Sequence, residues 1–134
     1  MIYVDSNYWI YWLDSRLPEH KRVATTMRSA IKEGVAANQV TLIEVAHYLR
    51  MLPKHEFVDL METIRRLTTL TVFNLDDRIA DSALKMIPEH ASKGLGGRDC
   101  VILATMRSSG IEKIATHDGA FRRVSWVEVI DDIS

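Results

Sequence analysis

The sequence predicts an α/β fold: one domain over residues 1–134, with a central parallel sheet of about five strands flanked by helices in three layers, α/β/α. Three observations predict it. Short apolar runs alternate with segments of helical period, the pattern of parallel βαβ units with right-handed crossovers. No internal repeat, low-complexity tract or Pro/Gly-rich linker divides the chain. Its 134 residues, 47% hydrophobic and 26% charged, suffice to bury about two thirds of the unfolded surface without a disulfide or structural metal.

Residues 1–5 read as the first strand and 6–14 as a short helix with Ser6 as its cap. Pro18 suits a first helical turn, and Val23, Met27, Ala30 and Ile31 share one face until Gly34 stops that helix. Residues 35–40 form a weaker strand, interrupted by Asn38 and Gln39, and 41–50 form the next helix. Pro53 begins another, striped by Phe57, Leu60, Met61, Ile64 and Leu67. Residues 70–75 read as a strand. The helix after it is capped near Asp76, turns Ile79, Ala80, Ala83, Leu84 and Ile87 inward, and bends or ends at Pro88. Residues 92–97 are a glycine-rich loop. Residues 98–109 form a helix ended by Gly110, apolar nearly all round and therefore buried against the sheet. Residues 113–116 and 126–130 supply the last strands.

A net charge of −1 and a pI of about 6.5 give no broad field for non-specific nucleic-acid binding. An enzyme that meets phosphates through a metal and a few cations stays open. Arg65-Arg66, Lys93, Arg98 and Arg122-Arg123 are candidates, each with solvated surface charge as the plainer explanation. The single Cys100 forms no internal disulfide and, beside Val101, Ile102 and Leu103, reads as a core thiol. The aromatic start lacks a basic region and meets Asp5 early, unlike a signal peptide. No uncharged stretch near it is long enough for a bilayer, so a cytoplasmic protein is expected.

Four acids stand where strand or helix ends would gather them along one sheet edge: Asp5, Glu44, Asp99 and Asp118. In open α/β sheets the ligand crevice lies beyond the carboxyl ends of the strands. Each acid alone has a local explanation. Asp5 can cap the helix that follows it, Thr41-Leu42-Ile43-Glu44 matches a capping box, Asp99 complements a helix dipole, and Asp118-Gly119 is a turn dipeptide. Together they would repel unless a cation lies among them, with raised carboxylate pKa values in its absence. A hard divalent ion, Mg²⁺ or Mn²⁺, suits such an oxygen-rich set.

Other constellations are weaker. Glu44-Val45-Ala46-His47 has no second copy for a di-iron site, no Cys-x-x-Cys supports zinc, and Gly94, Gly96 and Gly97 match no phosphate-binding loop. Tyr8, Trp9, Tyr11 and Trp12 crowd one short helix, mostly as core, with some open to a dimer or partner surface.

Four blocks carry a resemblance. Ile2-Tyr3-Val4-Asp5-Ser6-Asn7, Thr41-Leu42-Ile43-Glu44-Val45, Gly97-Arg98-Asp99-Cys100-Val101-Ile102-Leu103-Ala104 and Thr116-His117-Asp118-Gly119-Ala120-Phe121 are similar, in order, to the motifs of the PIN-domain family. Within it the chain resembles the VapC-like ribonuclease toxins of type II toxin–antitoxin modules, to which its compact length also points. The resemblance implies a parallel sheet between helices and Mg²⁺- or Mn²⁺-dependent cleavage of RNA by an activated water, leaving 5′-phosphate and 3′-hydroxyl ends. It implies Asp5, Glu44 and Asp99 as the principal metal ligands, with Asp118 completing the site. Ser6 and Thr116 would orient carboxylates or waters. Beside that resemblance, Arg98 and Lys93 are the local cations expected at substrate phosphates. The resemblance further implies a homodimer bound by a small antitoxin protein.

A PIN nuclease of RNA processing without an antitoxin, and a non-catalytic RNA- or partner-binding PIN domain, are the alternatives within the family. A phosphoacceptor receiver domain is disfavoured because Asp5 has no acidic neighbour and Lys113 precedes its strand.

Overall fold

The chain runs β1 (Ile2–Val4), α1 (Ser6–Leu13), α2 (His20–Glu33), β2 (Val35–Asn38), α3 (Gln39–Leu49), α4 (Lys54–Arg65), β3 (Leu70–Phe73), α5 (Asp77–His90), α6 (Gly97–Ser108), β4 (Lys113–Ala115) and β5 (Glu128–Ile130). Short 3₁₀ turns cover Ala91–Lys93 and Gly119–Arg123. These elements come from a computed structural model that describes residues 1–133; Ser134, the last residue of the expected domain, lies outside the described residues.

All strand pairs are parallel, in the order β3-β2-β1-β4-β5. The five-stranded parallel sheet expected from the sequence is therefore present. The order reverses at β1, with β2 and β3 on one side and β4 and β5 on the other. Crevices for ligands open at such a reversal, beyond the carboxyl ends of the strands.

Alternation along each strand splits the core in two. Ile2, Val4, Val35 and Ala37 pack against α1 to α4 through Tyr8, Trp9, Met27, Val45 and Ile64. Tyr3, Ala36 and Ile114 pack on the other face against α5 and α6, through Met86, Ile102, Leu103 and Met106. Helices on both faces explain why the central strands read as unbroken apolar runs. Full burial of a side chain such as Leu103 contributes about 1.5–3 kcal/mol. Cys100 is buried in this core, and burial lifts its thiol above the ordinary range, so it is an inert packing residue.

Several local expectations are corrected. Asp5, not Ser6, caps α1, because its carboxylate accepts from the Ser6 N–H at 2.7 Å. Pro18 lies in the turn before α2, which starts at His20. Asn38 ends β2 and caps α3 by accepting from the Val40 N–H, so the strand stops two residues early and the helix starts at Gln39. That removes the capping box at Thr41, and Glu44 falls in the second turn. β3 ends at Phe73 and β5 begins at Glu128. α5 continues past Pro88 to His90, because a proline so near the carboxyl end removes one intrahelical bond. Its buried stripe is Ile79, Ala83, Met86 and His90, which leaves Leu84 64% and Ile87 37% exposed on the flank instead of inward. Tyr8 and Trp9 are fully buried, whereas Tyr11 and Trp12 stay partly exposed. No helix among the described residues is long and apolar enough to cross a membrane.

Candidate functional site

Asp5 leaves the carboxyl end of β1 with no exposed surface. Its Oδ1 accepts from the Ser6 N–H at 2.7 Å, and its Oδ2 accepts from the Thr116 hydroxyl, also at 2.7 Å. Thr116 follows β4, the neighbouring strand, and is equally buried. Its Oγ1 in turn accepts from the Asp118 N–H at 3.0 Å and from Asn7 Nδ2 at 3.3 Å. The Ser6 hydroxyl is only 3.5 Å from Asp5 Oδ1, so Ser6 holds the carboxylate mainly through its backbone.

Glu44 points in from α3 and Asp99 from the first turn of α6. Asp99 Oδ2 accepts from the Gly96 N–H at 3.1 Å, which fixes the carboxylate over the start of its helix. Asp118 Oδ1 accepts from the Ala120 N–H at 3.0 Å and caps the following 3₁₀ turn. It joins the cluster through Thr116.

The cation that the acids require is supplied by the chain. Arg98 Nη1 donates to Asp5 Oδ1 at 2.9 Å and to Glu44 Oε1 at 3.1 Å, while Nη2 lies 3.1 Å from Asp99 Oδ1. Arg98 is therefore turned inward, onto the three carboxylates. Burial opposes its charge, but Asp5, Glu44 and Asp99 outweigh that and hold the guanidinium above its ordinary range. Lys93 lies in the 3₁₀ turn before α6, where its carbonyl accepts from Arg123 Nη1 at 2.8 Å.

Burial lifts the carboxyl groups of both Glu44 and Asp99 above their ordinary range, against the opposing pull of Arg98. Their acidic neighbours push the same way: Asp5 and Asp99 on Glu44, Asp118 and Asp5 on Asp99. Burial is the larger cause of both shifts, and the crowding of acids adds to it.

The donor set suits a hard divalent ion, being entirely oxygen. Asp99 Oδ1 is buried and has no hydrogen bond, since Arg98 Nη2 stands close to it without hydrogen-bonding alignment. That orphaned lone pair fits a cation. As they stand, however, no three His, Cys, Asp or Glu side chains among the described residues converge tightly enough to hold a metal.

Two features went unassigned in the sequence. Asn7 ties the two strand ends together, donating to Thr116 and accepting from the His117 N–H at 3.2 Å. Beneath the acids, the Tyr3 hydroxyl meets Thr41 Oγ1 at 2.7 Å and accepts from the Asn38 N–H at 2.9 Å, and Asn38 Nδ2 donates to Thr105 Oγ1 at 3.0 Å. This buried chain links β1 and β2 to the helices bearing Glu44 and Asp99.

The same architecture is found in known proteins. The chain is similar to the structure of VapC20 of Mycobacterium tuberculosis, a sarcin-ricin loop cleaving toxin. The TM-score is 0.81 at 22% identity, over 96% of this chain and 98% of that one. FitAcB of Neisseria gonorrhoeae superposes with a TM-score of 0.77 at 23% identity, covering 98% of both chains. A toxin–antitoxin complex from Klebsiella pneumoniae gives 0.74 at 19% identity, again over 98% of both. No curated protein matches the chain by sequence. The profile of the PIN domain matches residues 2–127, from the first strand almost to the last, and by that match the chain belongs to the PIN domain family.

Proposed function

We propose that this chain is a Mg²⁺- or Mn²⁺-dependent endoribonuclease and the cytoplasmic toxin of a toxin–antitoxin pair. The observation that carries the reading is the meeting of Asp5, Glu44 and Asp99, from three distant stretches of chain, around one cation position at the switch point of the sheet. Family membership and the likeness to toxins, one of them a sarcin-ricin loop cleaving toxin, support RNA as the substrate.

In this reading Asp5, Glu44 and Asp99 hold the ion and Asp118 completes the site. The bound ion would lower the pKa of the attacking water and offset charge on the phosphate and the departing oxygen. Thr116 and the Ser6 backbone lock Asp5 so that its orientation does not have to be found during the reaction. Lys93, and Arg98 once released from the acids, are the cations for phosphate contact.

The antitoxin would be a small protein whose tail lays a basic side chain, Arg by its bidentate geometry, against the acids. A cavity of about 500 Å³ between α3 and α4, lined by Ile43, Ala46, His47, Leu52 and Phe57, runs along the helix that carries Glu44. Ile43 is 67% exposed at its edge, ready for apolar side chains of such a tail. A homodimer is the proposed assembly.

Purified chain, free of any antitoxin, should cleave RNA with Mg²⁺ or Mn²⁺ and not with EDTA. Asp99→Asn should abolish cleavage while preserving the circular dichroism spectrum. Undiminished cleavage by that variant would sink the assignment.

A further inference from the structure

We propose that Arg98 is a built-in competitor for the divalent ion: its guanidinium fills the cation position of the metal-free protein and has to leave before metal binds. The inference rests on the reading of Asp5, Glu44 and Asp99 as ligands, and adds the residue that sets how tightly they take a metal.

Geometry makes the two cations mutually exclusive. Nη1 engages Asp5 Oδ1 and Glu44 Oε1 together, and Nη2 faces Asp99 Oδ1. Those are oxygens from all three ligands. An ion such as Mg²⁺ needs its oxygens at about 2.0–2.1 Å in near-octahedral array, which a guanidinium wedged among them prevents. Charge acts in the same direction. Arg98 offsets one of the three carboxylate charges, so an arriving ion meets a weaker attraction than the bare acids would exert.

Arg98 is freer to yield than Asp5. Asp5 is fully buried and tied to Thr116 and Ser6, whereas the Arg98 side chain is 31% exposed on a long flexible stem at the start of α6. Because the competitor is part of the chain, its local concentration is fixed. Metal has to displace it, which raises the apparent dissociation constant in proportion to how rarely Arg98 leaves the acids.

Calorimetric titration of the metal-free chain with Mn²⁺ tests this at neutral pH and about 0.15 M salt. Arg98→Gln should bind Mn²⁺ on the order of tenfold more tightly than wild type, the equivalent of about 1.4 kcal/mol. Arg98→Lys keeps the charge but cannot bridge three carboxylates, so it should bind more tightly by a smaller factor. It carries the test alone if Arg98→Gln does not fold. Adding Asp99→Asn to either variant should remove the gain. If neither variant binds more tightly, yet Asp99→Asn still abolishes binding, the competitor is overturned and the metal reading stands. If Mn²⁺ binding ignores Asp99→Asn, the ligand assignment fails and takes the competitor with it.

Discussion

Arg98 and Asp5 form the central ion pair of the molecule: Nη1 donates to Oδ1 at 2.9 Å, and Asp5 has no exposed surface. Ninety-three positions separate them in sequence, so the contact exists only when β1 and the start of α6 are both in place. Breaking a buried pair by removing one partner costs about 3–5 kcal/mol, because the other charge is left unpaired. Water reaches the Arg98 side, which lowers the figure. Arg98→Ala should therefore lose about 2 kcal/mol in EDTA, read from urea unfolding. Mn²⁺ should return part of the loss. An unchanged unfolding midpoint would mean that Asp5 needs no counter-ion.

The raised carboxyl groups of Glu44 and Asp99 make a pH prediction. A carboxyl raised on folding binds more protons in the native state. Its contribution is thus fully present below the unfolded carboxylate range, about pH 4, and is lost as pH climbs to the folded values. Asp99→Asn removes that loss and keeps an oxygen for the Gly96 N–H. In EDTA at neutral pH the variant should be more stable than wild type, and the difference should shrink towards pH 4. If it melts lower instead, Asp99 serves the fold as a charged cap more than it serves the site.

Tyr3 gives a third test. Burial pushes its phenol up to about 12 despite the hydrogen bonds from Thr41 and Asn38. The absorbance of ionised tyrosine should therefore show a group that titrates only at strongly alkaline pH and disappears in Tyr3→Phe. That variant leaves the Asn38 N–H without its acceptor at 2.9 Å, at a cost of about 1–3 kcal/mol. A native-like alkaline titration from the variant would assign the signal elsewhere, for instance to Tyr8, whose phenol is also raised.

The parts of this molecule written in local pattern were readable from the chain. The five strands, the buried α6 and the four acids follow from apolar runs and from what must terminate them. What depends on tertiary contact was not. Asn38 looked like a blemish in a strand, yet it caps α3 and reaches Thr105 across 67 positions. Arg98 looked like a surface cation because nothing in the stretch 97–104 tells which way its side chain turns. The requirement for a positive charge among the acids was legible, and the residue that meets it without metal was not. Leu84 fits a helical stripe in sequence, but packing selected the face through Ile79, Ala83 and Met86.

Thr116 offers the sharpest separation of site from scaffold. Its Oγ1 donates to Asp5 Oδ2 and accepts from the Asp118 N–H and Asn7 Nδ2, so one buried hydroxyl aligns the acids of β1 and β4. Thr116→Val keeps the volume and loses all three bonds, which should cost about 2–3 kcal/mol of stability. It should also weaken Mn²⁺ binding by about 10–100-fold, the usual effect of losing a ligand's supporting hydrogen bond. Thr116→Ser restores the oxygen and should recover most of the affinity while giving up the packing of one methyl group. The two variants thus move affinity and stability in different proportions. Equal Mn²⁺ affinity in Thr116→Val and Thr116→Ser would show that the Ser6 backbone alone holds Asp5 for the metal.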